Sequence, residues 1–129
     1  MSGEITEILR NLPGDPHWEG SFYEQLTEYA IWDENAFWRL HLALLEAAKT
    51  PRIAFSRENV RALVSLQGKV LNLISAHYNP GDAFNIRNLS HERLQAFDER
   101  FQHAVLSVFS GEVTPETSYD LVNPLIVHA

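Results

Sequence analysis

Six histidines are spread along a chain of 129 residues that contains no cysteine. Neutral imidazole is the commonest protein ligand for metals, so these are the first residues to weigh for chemistry. His41, His77 and His103 would fall one to a helix, as in a helical bundle with a three-histidine metal site. Their helical phase opposes convergence. His103 lies about half a turn from the Leu94, Phe97 and Phe101 stripe, which places it on the outer face. His41 and His77 sit at the borders of apolar stripes, where a ring packs and one nitrogen stays wet. A dinuclear carboxylate bundle needs Glu-x-x-His on two helices, and no such pair occurs. His91-Glu92 continues as Arg93-Leu94-Gln95, so the zinc-protease pattern is missing too. Arg100 and His103 are expected to point outward, which removes a nuclease face built from them. With no nucleophile elbow, phosphate loop or dinucleotide fingerprint, no catalytic residue and no cofactor is expected. A helical metalloenzyme or ligand-binding bundle using His41 and His77 stays as the alternative reading.

Charge offers a second kind of chemistry. The formal net charge is −7. Residues 1–34 hold eight acids (Glu4, Glu7, Asp15, Glu19, Glu24, Glu28, Asp33, Glu34) against one base, Arg10, while residues 35–129 hold nine of each. The whole imbalance therefore lies in the first quarter of the chain. Nucleic-acid binding needs a basic footprint, so a direct nucleic-acid partner is not expected. An acidic flank suits a basic protein partner and speeds its approach. Tryptophan, tyrosine and arginine are favoured interface anchors when a rim excludes water around them. The candidate partner-binding set is therefore Glu19, Tyr23, Glu24, Glu28, Ile31, Glu34 and Trp38. Glu24 and Glu28 are expected in solvent. Trp38 and Ile31 are either interface residues or simply covered by a neighbouring helix or the C-terminal tail.

The elements that must position these residues are helical. Ile5, Ile8, Leu9 and Leu12 predict a short first helix from about Gly3 to Asn11, ended by Pro13, Gly14 and Pro16. Ser21 or Asp15 caps the next, with Trp18, Phe22, Leu26 and Tyr29 on its inner side. Asp33 is a good N-cap for Glu34 to Lys49, a helix apolar on almost every side and so expected to lie between others. Ser56 caps a long helix to about His77, with Val60, Leu63, Val64, Gln67, Val70, Leu71 and Ile74 facing inward. Gly68 within it costs up to about 1 kcal/mol relative to alanine, which close packing against a neighbour would explain. Asn79-Pro80-Gly81-Asp82 predicts a turn, and Phe84, Ile86 and Leu89 a lid over the bundle. Ser90 caps a helix with Leu94, Phe97, Phe101, Val105 and Val108 inward, ended by Gly111. Thr114-Pro115-Glu116 opens a short last helix, and the final LIVHA is apolar enough to dock or to be exchanged between copies. No alternating strand pattern is present. The prediction is an all-α fold: a single domain over 1–129, a bundle of four main helices with short extra helices.

The length suffices to bury a core without metals or disulfides. Absence of cysteine excludes disulfides and thiolate chemistry. The opening MSGEITEILRNLPGD lacks a basic and then apolar leader pattern, so no signal peptide is expected. Apolar runs are far too short for a membrane span, so no membrane partner is expected and the cytoplasm is the default. The chain resembles bacterial immunity proteins, cytosolic inhibitors that neutralise toxins of contact-dependent, type VI or colicin-like systems. The resemblance is of kind: short, acidic, cysteine-free, helical, without an enzyme motif. The segment WDENAFWRL (Trp32 to Leu40) looks like sequence around the central helix of such proteins. His77-Tyr78-Asn79-Pro80 is similar to the tyrosine-proline motif of helical colicin nuclease immunity proteins, which carry paired tyrosines in a shorter chain. The resemblance implies tight stoichiometric binding to a cognate basic toxin, commonly a nuclease domain, by active-site plugging or at an exosite. It assigns no individual binding residue.

Overall fold

A computed structural model describes residues 3–50 and 55–126. Their regular secondary structure is entirely helical, with no strand among the described residues. The helices are α1 (Gly3–Leu9), α2 (Phe22–Tyr29), α3 (Glu34–Ala47), α4 (Arg57–Tyr78) and α5 (His91–Ser110), followed by 3-10 turns at Glu116–Ser118 and Pro124–Ile126. The expected all-α fold is present, with α1 two residues shorter than the pattern suggested. The expected last helix, from Thr114 to its stop at Asn123-Pro124, is reduced to the 3-10 turn at Glu116–Ser118, and the end of the LIVHA tail lies outside the described residues.

Hydroxyl and carboxylate caps start the helices where the sequence places them. Ser21, Ser56 and Ser90 accept from the backbone N–H groups of Glu24, Asn59 and Arg93, and Asp33 accepts from Ala36. Each satisfies an amide that has no partner within its own helix, typically contributing about 1 kcal/mol. Gly111 ends α5 at φ +75, the left-handed backbone that glycine adopts without a Cβ clash. Ala30 takes the same region at φ 56 to end α2, at a cost of about 1–2 kcal/mol for a residue with a Cβ. Backbone bonds on both sides hold it there. Its N–H donates to Leu26, and its carbonyl accepts from Arg87 at 2.9 Å.

The core is organised around α3, which buries nine of its fourteen residues. It packs against α1, α2 and α5. Phe37 meets Phe22, Trp32, Trp38 and Phe97 with ring centroids between 4.9 and 5.5 Å. Edge-to-face pairs of this kind add about 0.5–1.5 kcal/mol each beyond area burial. Leu94, Phe97, Phe101, Val105 and Val108 of α5 are all buried, as their spacing predicts. Ile86 is buried in the core, and Phe84 and Leu89 pack against that core partly buried. Asn88 then brackets the α2–α3 corner, accepting from the Trp32 N–H and donating to its carbonyl, both at 2.8 Å.

The long helix α4 differs from its pattern. Only Leu63, Leu66, Val70 and Ile74 of its twenty-two residues are buried, and Val64, expected inside, is 53% exposed. Gly68 is exposed as well, and a Cβ built there meets nothing within 4 Å. Close packing does not explain this glycine. Gly68→Ala should therefore stabilise the protein by up to about 1 kcal/mol through helix propensity and a stiffer unfolded chain. The readout is a higher urea midpoint at unchanged slope; a lower midpoint would mean that the site is covered.

Candidate functional site

Chemistry-bearing side chains gather in three places: a buried group, a small cluster at the end of α4 and a group at the surface. The buried group lies where α3, α5 and residues 112–126 meet. Arg100 is its centre, 1% exposed. It was expected outside, yet it falls one turn from both Phe97 and Ala104, on the margin of the inner stripe. Its guanidinium pairs with Glu116 through two bonds of 2.7 and 2.9 Å, and it also donates to the Leu121 carbonyl. Trp38 and Tyr119 flank it, with guanidinium-to-ring distances of 5.3 and 4.0 Å. A desolvated cation over aromatic faces gains about 2 kcal/mol, and the two-pronged carboxylate supplies the counter-charge that burial demands.

His41 and His103 complete this group. His41 is buried on α3, its Nδ1 3.5 Å from the Asn123 amide nitrogen. His103 is half-buried rather than outward, and its Nδ1 shares a 2.7 Å hydrogen bond with the Tyr119 hydroxyl. The remaining void among His41, Leu45, Arg100, His103, Ala104, Thr114, Glu116 and Tyr119 is about 10 Å³, at the lower limit of the room one water needs. In its closed form this interior holds no substrate. Its donors and acceptors hold the chain together.

His77 lies in a different cluster, beside Tyr78 and His91 at the end of α4. Its Nδ1 accepts from the Ile86 N–H at 2.9 Å. That bond places the ring proton of neutral His77 on Nε2, leaving no free lone pair for a metal. His41 and His77 therefore do not form one site. Among the described residues, no three of His, Asp and Glu are grouped to hold a metal ion.

The surface group is the predicted partner-binding set, and it divides. Trp38 is buried at 4% exposure, covered by Phe97 and Arg100. Tyr23 is buried edge-on to Trp18, and its N–H donates to the Asn11 side chain. Glu24, expected in solvent, is 7% exposed. Its carboxylate turns back to accept from the Gly20 N–H at 3.0 Å and from the Gln25 amide at 2.8 Å. These three do not form part of an open surface. Glu19 and Glu28 are exposed, while Ile31 and Glu34 are half-buried. Glu19 precedes α2 and Glu28 lies in its last turn, at the far end of an eight-residue helix about 12 Å long. Glu28 instead neighbours Tyr29, which is 54% exposed although its spacing placed it inside. The left-handed Ala30 stops α2 and leaves that ring in solvent.

Most of the other early acids already have partners. Asp33 caps α3, and Asp15 accepts from the His17 N–H. Glu34 pairs with Arg93 across the α3–α5 face. Glu7 lies near Arg10, and burial raises its carboxyl above the usual value, opposed by Arg10 and Arg39. The acidic flank is thus smaller in side chains than in formal charge. Its exposed members are Glu19 and Glu28, and Glu28 shares its corner with exposed Tyr29, half-buried Ile31 and the Arg93-paired Glu34.

The buried group makes stability depend on pH. His41 is lowered from 6.5 to about 4, first by burial and then by the Arg100 charge, with Glu116 opposing. Between those values the unfolded chain binds the proton that the folded chain refuses. Stability is therefore fully present above pH 6.5 and is lost as pH falls toward 4, by about 3 kcal/mol in all. Urea midpoints between pH 7 and 4.5 should show the loss, and His41→Asn, which cannot titrate, should flatten it. An identical pH dependence in the variant would remove His41 as the cause.

No family model, curated protein or solved structure matches this chain.

Proposed function

We propose that this protein is a cytosolic binding protein of the immunity type, which neutralises a basic toxin by stoichiometric association. The observation that carries the reading is the Glu28–Tyr29 corner. It joins an exposed aromatic ring to an exposed carboxylate in the quarter of the chain that holds the entire negative excess. Ile31 adds a half-buried apolar contact, and Glu34 a carboxylate already shared with Arg93. An anchor ring beside charges of one sign is a suitable landing surface for a basic protein. Glu19, at the far end of α2, contributes to the field that steers approach rather than to the contact. No helix among the described residues is long and apolar enough to cross a membrane.

The reading has no need of a reaction. Arg100 is engaged with Glu116, and His103 with Tyr119. Association through the corner would have two separable parts. Charge sets the rate of encounter, and the buried part of the Tyr29 ring sets the lifetime of the complex.

Pull-down from native lysate should retain a basic protein at one-to-one stoichiometry. Glu28→Lys should then slow association by about tenfold at low salt, with little effect at high salt. Tyr29→Ala should mainly speed dissociation, costing about 2 kcal/mol of affinity if the ring is an anchor. Both variants should unfold like the parent, since neither side chain is in the core. A retained partner whose binding is unchanged by both substitutions would place the interface elsewhere, and an acidic partner would overturn the charge basis of the reading.

A further inference from the structure

Residues 112–126 close over α3 and α5 in an unusual way. The backbone hydrogen bonds described within the segment are local: Ser118 to Pro115, Tyr119 to Glu116 and Ile126 to Asn123. Its hold on the helices runs through side chains. Glu116 takes Arg100, Tyr119 meets His103, Asn123 meets His41, and the Leu121 carbonyl accepts from Arg100. Apolar anchoring is thin. Leu121 and Ile126 pack partly against the core, whereas Val113, Val122 and Leu125 are 40, 70 and 48% exposed. The segment joins α5 at Gly111, a glycine in the left-handed region where the chain can turn away.

What lies beneath is built to receive a carboxylate. Arg100 presents two nitrogens to one carboxyl group, the planar geometry that favours arginine over lysine. Its third nitrogen, Nε, is buried and has no acceptor, so the site can offer more than its present occupant uses. Trp38 and Tyr119 wall the cation, and Tyr119 belongs to the segment itself. Glu116 opens a 3-10 turn flanked by Pro115 and Tyr119 in extended backbone, so the occupant is a short turn presenting a glutamate.

We infer that residues 112–126 form a detachable strap, and that Arg100, walled by Trp38, is a recognition site for a glutamate-bearing peptide turn that Glu116 fills from within the same chain. Opening leaves the helices in place, because the strap contributes no backbone-to-backbone hydrogen bond to them among the described residues. The vacated site then takes a glutamate-bearing segment of another chain by the contacts that Glu116 makes now. The inference does not depend on the Glu28–Tyr29 corner or on the partner's identity.

Two measurements on the full-length chain test it. In native-state hydrogen exchange of the unaltered protein, the amides of 112–126 should exchange by local opening while those of α3 and α5 stay protected. Exchange of the strap only together with α5 would overturn the inference. The second uses the full-length Glu116→Ala protein and a fluorescently labelled synthetic peptide of residues 112–126. That peptide should bind saturably, about tenfold more tightly than the same peptide carrying Glu116→Gln, as expected when a buried cation loses a charged acceptor. Adding Arg100→Met to the protein should abolish the difference. No binding, or equal binding of the two peptides, would overturn the inference.

Discussion

A guanidinium cannot be taken out of water without a counter-charge and hydrogen-bond acceptors, and Arg100 has been taken out of water almost completely. That requirement determines what the last part of the chain must do. Glu116 has to arrive on one side, the Leu121 carbonyl on the other, and aromatic rings have to cover what remains. Trp38 is buried partly because it forms one wall of this site. His41 stays neutral partly because the same cation is close. A residue on α5 thus fixes the environment of α3 and the course of the chain after Gly111.

The apolar interior imposes the complementary constraint. Because α3 is apolar around most of its circumference, it must be covered on several sides, and α1, α2 and α5 do so. The aromatic group of Phe22, Trp32, Phe37 and Phe97 closes the contact between three of these helices. The long α4 is left with a small share of the core and a largely solvated surface. Function, in this arrangement, has two kinds of place to reside: the charged corner at the end of α2, and the polar seam beneath the C-terminal strap.

Elements governed by local rules were legible in the sequence. The serine and aspartate caps, the Gly111 terminator and the α5 stripe followed from short-range spacing. Positions decided by distant contacts were not. Glu24 reads as a solvent carboxylate until the turn before α2 brings the Gly20 amide onto it. Tyr29 reads as part of an inward stripe, but helix α2 stops one residue later and leaves the ring outside. Gly68 suggests a close neighbour that is not there. Arg100 carried a partial signal, because its phase lies beside the apolar stripe, but its partner is sixteen residues away in a single 3-10 turn beyond the end of α5. No periodicity connects them.

The dependence on this one ion pair can be measured with a double-mutant cycle. Arg100→Met, Glu116→Gln and the double variant would be compared by urea unfolding at neutral pH. Glu116→Gln should be the more damaging single change, since it strands a buried cation, whereas Arg100→Met leaves a carboxylate that is already 36% exposed. The double variant should recover much of that loss, giving a coupling of about 2 kcal/mol or more. Additivity within about 0.5 kcal/mol would contradict the central role of the Arg100–Glu116 pair.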